Sequence, residues 1–187
     1  MPLRISFNLR DDDLRHYEEV AQQTQASVRQ RSAQEIVAAA RQVLEESQRA
    51  QQAEFVRERF SRLAGMIDMA VDPDWPLSAE DSQRLINALA CFGGTESAAR
   101  AGFLDHAILV ELVSRDLEHD LAAYREFCKL RAAQLARRRP GMDQDAQRDE
   151  WLKEKREGLQ QRMHERRRRD LDKAGSSVRK LFSLFGL

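Results

Sequence analysis

Phe103, Ala107, Val110, Val113, Leu117, Leu121, Tyr124 and Cys128 recur at steps of three and four, which places them along one stripe of an α-helix. A stripe of that length has to face a core. Between Ala107 and Val113 the opposite side is apolar as well, through Ile108, Leu109 and Leu112. The first half of this segment is therefore expected to be enclosed by neighbouring helices and the second half to lie at the surface. The same helix is expected to run on past Leu130 and Leu135 until Arg137, Arg138, Arg139, Pro140 and Gly141 break it.

The rest of the chain repeats this grammar. Ser32, with Glu35 three residues later, makes a capping box ahead of Ile36, Ala40, Val43 and Leu44. The polar run 47–52 interrupts the pattern, and Val56, Phe60, Leu63, Ile67 and Ala70 restore it as a core helix. Asp72-Pro73-Asp74-Trp75-Pro76 ends that helix, because each proline biases the residue before it away from helical geometry, and Trp75 is expected to plug the core from the loop. Ser78 caps a shorter helix through Leu85, Ile86, Leu89 and Phe92, which Gly93 and Gly94 stop. At the start of the chain Leu3, Ile5, Phe7 and Leu9 alternate with polar residues, the period of an extended arm. Asp11, Asp12 and Asp13 then open a peripheral helix with Leu14, Tyr17, Ala21, Thr24 and Val28. The expected fold is all-α: an arm and peripheral helix over 1–31, a helical bundle over 32–135, and a basic helical extension over 142–187.

With 187 residues and 33% charged side chains, the chain suits one helical domain with long solvated faces. Its net charge is formally zero. Residues 131–187 nevertheless hold 16 Lys and Arg against 9 Asp and Glu, so the molecule is polarised from end to end. Cys91 and Cys128 are too few for a disulfide framework and each falls in an apolar helical pattern, which points to reduced, buried thiols. With no secretory h-region and no apolar run of about 18 residues, a cytoplasmic location is expected, with an edge at the inner membrane face left open.

Residues 84–92 (RLINALACF), the preceding Trp75-Pro76, and 102–113 (GFLDHAILVELV) resemble the YkvA family of bacterial proteins, a helical domain of unknown function. Residues 5–9 (ISFNL) and 123–128 (AYREFC) are similar to the flanks of its longer members, so the resemblance spans roughly 1–131. The resemblance implies a helical bundle and no defined activity. This chain has 93–100 (GGTESAAR) where the family carries an Asp-Leu-Ile-Pro-Asp element, and His106 in place of a second aspartate, so only Asp105 of the family's acidic cluster is matched.

The strongest interaction signal is Arg166, Arg167, Arg168 and Arg169 with Arg162, Lys173, Arg179 and Lys180. Four consecutive arginines wrap a helix as a cationic belt suited to an anionic surface, although Glu154, Glu157, Glu165, Asp170 and Asp172 are at hand to neutralise it. Between 142 and 173 the large apolar residues are sparse, so this helix is expected to project from the core or lie lightly across it. Beyond Gly175, Val178, Leu181, Phe182 and Phe185 share one side of a short helix, an apolar tail contact for a membrane edge or a partner groove.

Asp105, His106 and Glu111 form a candidate polar site on the central helix. Asp105 at a helix start is explained by capping alone, and no nucleophile is placed beside His106. Asp116-x-x-His119 with Glu111 is one half of a dinuclear carboxylate motif without its second half, and Glu111 with Arg115 reads as an i,i+4 ion pair. Gly93-Gly94-Thr95 lacks the Gly-Lys-Ser/Thr of a phosphate loop. The expectation is a non-enzymatic interaction protein without cofactor or metal, docking on a partner protein or the inner membrane surface. The alternatives are an RNA- or DNA-associated factor using the arginine belt, and a degenerate metal-dependent hydrolase using Asp105, His106, Glu111 and His119. A homo-oligomer is left open, through pairing of the N-terminal segment.

Overall fold

The computed structural model describes residues 28–92, 103–136 and 145–173, together with Glu19 and Thr24, and in its last stretch the side chains of 148–170. These residues form an all-α bundle. The extended arm expected at 3–9, the helix stop at Gly93 and Gly94, and the tail residues Val178, Arg179, Lys180, Leu181, Phe182 and Phe185 lie outside the described residues.

Helix α1 (Ala33–Arg49) begins on the expected capping box: the Ser32 hydroxyl accepts from the Glu35 amide at 3.3 Å, and the Glu35 carboxylate accepts from the Ser32 amide at 2.7 Å. Helix α2 (Glu54–Val71) buries Val56, Phe60, Leu63, Met66, Ile67 and Met69 and is the hub, packing against four other helices. Helix α3 (Ala79–Ala90) starts at Ser78, whose hydroxyl accepts from the Asp81 amide at 3.1 Å. Between α2 and α3 the chain turns inward and Trp75 is 1% exposed, its ring 5.1 Å from Phe127 and 5.7 Å from Tyr124. Asp72 holds this loop by accepting from its neighbour Asp74's amide, the Tyr124 hydroxyl and the Arg131 guanidinium, all at about 2.9–3.0 Å.

The long apolar stripe is carried by two helices, α4 (Leu104–Asp116) and α5 (Glu118–Ala136). One uninterrupted helix was the expectation from its period, and the break at Leu117 corrects it. Leu117 is fully buried at φ −95° and ψ 14°, so the stripe stays in register while the backbone changes course. The Arg84 guanidinium from α3 donates to the carbonyl of Asp116 at 3.2 Å and also bonds its carboxylate. A cation at this helix C-terminus satisfies a carbonyl that the break sets free. At the other end of α4 the cap residue Phe103 adopts φ 63°, a left-handed conformation unusual for a bulky side chain. Its ring is buried edge-on against Phe60 at 5.8 Å, and that burial offsets the backbone strain.

Helix α6 (Asp145–Lys173) packs along α5. The expectation of a projecting or lightly laid helix is corrected here: Leu159 and Met163 are buried in the same core as α1–α5, and each such burial is worth about 1.5–3 kcal/mol. The two fall four residues apart on one face, which gives an inward side to a helix that looks almost entirely polar in sequence.

Candidate functional site

Where α3, α5 and α6 meet, the core holds charge. Asp81 on α3 and Asp120 on α5 are 4% and 2% exposed. The Asp81 carboxylate accepts from Arg167 of α6 at 2.6 Å, from Ser78 at 2.7 Å and bonds His164 of α6 at 2.8 Å. Burial alone would push its carboxyl up; the bonds from Arg167, Ser78 and His164 outweigh that and hold it at about 2. Asp120 lies 3.6 Å from both Arg84 and Arg167, too far for a hydrogen bond. Burial therefore dominates and raises its carboxyl above the usual range, against the pull of the two guanidinium groups. Three buried polar atoms in this network have no hydrogen-bond partner: Arg84 Nη1, Asp120 Oδ2 and Arg167 Nε.

The arginine belt divides across the helix. Arg167 points inward, its side chain 13% exposed. Arg162, Arg166, Arg168 and Arg169 are exposed. Arg162 pairs with Glu126 at 3.7 Å and Arg169 with Glu165 at 3.8 Å, geometries that contribute little in water. Arg166 and Arg168 have no acidic partner among the described residues. The side chain of Lys173 lies outside them. Further contacts along α6 tie it to the α2–α3 loop, with Gln160 donating to the Pro76 carbonyl at 2.8 Å and Arg156 to that of Asp74 at 3.3 Å.

The second candidate site does not assemble. Asp105 sits half-buried in the first turn of α4, whose cap makes no side-chain bond. His106 is buried between the Phe92 and Phe103 rings with Nδ1 unpartnered, and burial lowers its pKa against the opposing pull of Asp105 and Glu46. Glu111 is directed elsewhere, into a half-exposed cluster of Arg59 at 3.3 Å, Arg62 at 3.0 Å and Arg115 at 3.7 Å. The expected Arg115 pair is thus present, alongside two arginines from α2. Asp116 and His119 of the half-motif lie on either side of the break at Leu117 and go to different partners: Asp116 bonds Arg84, and His119 reaches Asp170 on α6 at 2.6 Å. No group of three or more His, Cys, Asp or Glu suited to a metal ion occurs among the described residues.

Sequence reasoning missed Asp81, Arg84 and Asp120. A charged residue on the inward side of an amphipathic helix was the available signal: Asp81 falls one turn before Leu85, and Asp120 falls three residues after Leu117 and four before Tyr124 of the apolar stripe. Among the described residues no helix is long and apolar enough to cross a membrane. No family model matches the chain, and no curated protein or solved structure matches it either.

Proposed function

We propose that this is a non-enzymatic helical interaction protein that docks through the outer face of α6 onto an acidic surface of a partner protein. The observation carrying this reading is the division of the belt. One arginine, Arg167, is held by the core, while Arg166 and Arg168 stand exposed without acidic partners among the described residues. A partner protein is favoured over a lipid surface because the apolar side of α6, Leu159 and Met163, is already occupied by the core, and interfacial helices need that side for the membrane. The outer face also interleaves Glu157 and Glu165 with its arginines, a pattern that selects a shaped, mixed-charge partner over a uniformly anionic one. The buried polar clusters join helices to one another, which fits a scaffold. The YkvA-like kinship belongs to the same proposal and rests on the motif residues at 75–76, 84–92 and 102–113.

The test compares the full chain with Arg166→Glu/Arg168→Glu, both checked for fold by circular dichroism. In-cell cross-linking with quantitative mass spectrometry should show a discrete protein partner lost from the variant, with both proteins retained equally poorly by phosphatidylglycerol vesicles and by single-stranded RNA. An identical cross-linked set for both proteins would refute it. Salt-steep RNA binding that vanishes in the variant would move the function to nucleic acid.

A further inference from the structure

The inner face of α6 carries a second message, independent of what its outer face binds. Leu159, Met163 and Arg167 are spaced four residues apart and so form one line down the helix. The first two enter the core, and the third enters a recess whose floor is Asp81 and Asp120. A single arginine is thus the cationic plug of an acidic recess, flanked by His164 on Asp81.

The fit is incomplete. Arg167 Nε, Arg84 Nη1 and Asp120 Oδ2 are buried without partners, and a buried polar group without a partner raises the free energy of the docked state. Apart from this recess, α6 is held along α5 by a narrow apolar seam and by polar contacts near the surface, Gln160 to the Pro76 carbonyl, Arg156 to that of Asp74 and Asp170 to His119. Leu159 and Met163 are its only fully buried apolar residues among 148–170, with Leu152 partly buried beside them. If α6 leaves, Asp81, Asp116 and Asp120 face Arg84 alone, three carboxylates against one guanidinium, beside the side of α5 that α6 covers. Such a surface strongly favours rebinding a cation mounted on an amphipathic helix.

We propose that α6 is a displaceable cover, and that the acidic groove beneath it is a binding site for a cationic amphipathic helix with apolar, apolar and arginine residues at i, i+4 and i+8. The resident α6 is its intramolecular competitor. Docking in cis and binding in trans are then mutually exclusive, which builds autoinhibition into the fold.

The probe is a fluorescent peptide of residues 145–173, titrated by anisotropy into the full-length chain. The apparent affinity of an occupied groove is reduced by the fraction of time that it is open. Full-length Arg167→Ala, with its own cover weakened, should therefore bind the wild-type peptide about tenfold more tightly than the wild-type chain does. Adding Asp81→Asn to that variant should reverse the gain. Arg166→Glu/Arg168→Glu should leave the exchange unchanged, which separates this idea from the docking function above. Absence of peptide binding to both proteins, or equal binding by both, would overturn it. Should Arg167→Ala fail to fold, hydrogen exchange on the wild-type chain decides: amides of α6 opening well before those of α2 support a cover, and equal protection of the two helices sinks it.

Discussion

Replacing Asp81 with Asn tests the buried charge network at its best-connected point. The asparagine keeps the shape and one acceptor but removes the negative charge that Arg167, Ser78 and His164 converge on. The carboxyl of Asp81 falls from an ordinary value of 3.8 to about 2 on folding. At about 1.4 kcal/mol per pH unit, that difference is linked to roughly 2–3 kcal/mol of stability at neutral pH. Because the folded value is the lower one, the contribution is complete above pH 4 and disappears as the pH falls from 4 through 2. Urea unfolding followed by circular dichroism should therefore show the variant less stable by roughly 2–3 kcal/mol at pH 7. The two proteins should converge as the pH is lowered through that window. The figure agrees in size with the usual penalty of about 3–5 kcal/mol for stripping one partner from a buried ion pair, allowing for the hydrogen bond that asparagine retains. An Asn variant as stable as the parent at pH 7, or a gap of constant size down to pH 2, would refute the claim that a buried anion at this position holds α6 to α3.

Two other measurements bear on the fold. Trp75→Ala removes the ring that packs on Phe127 and Tyr124 and should lower stability by about 3–5 kcal/mol in chemical denaturation; a loss below about 1 kcal/mol would mean that the loop collapses into the space. Burial pushes the Cys91 thiol up to about 12, so at pH 8 it should resist maleimide in the native protein and label only as the chain unfolds, whereas half-buried Cys128 labels first. Equal labelling of the two under native conditions would contradict the packing of α3.

The features legible in the sequence are those that depend on neighbours within a turn or two. The capping box at Ser32 and Glu35, the cap at Ser78, the end of α2 at Asp72 and the inward faces of α1 and α2 all emerged from spacing and residue type. Trp75 as a core plug followed from a tryptophan in a proline-bounded loop between two apolar helices. The break at Leu117 was invisible for a specific reason. It involves neither glycine nor proline, and it leaves the period of the stripe intact, so a hydrophobic pattern reads straight through it. The carbonyl that it frees is satisfied by Arg84, 32 residues away in sequence.

The arginine belt marks the boundary most clearly. Its composition, and its place on a helix, were determined by the order of residues alone, as were the all-helical class and the polarity of charge from one end of the chain to the other. Which of the four arginines turns inward was decided by the packing of α6 on α5, since Leu159 and Met163 set the rotation of the helix and Arg167 follows them at the same four-residue step. That packing also joined Arg167 to Asp81 across 86 positions, and the packing of α4 on α2 drew Glu111 toward Arg59 and Arg62, away from Asp105 and His106. A helical period reports which side of a helix is buried; the partner met there depends on how whole helices cross, and that geometry exists only once the core has closed.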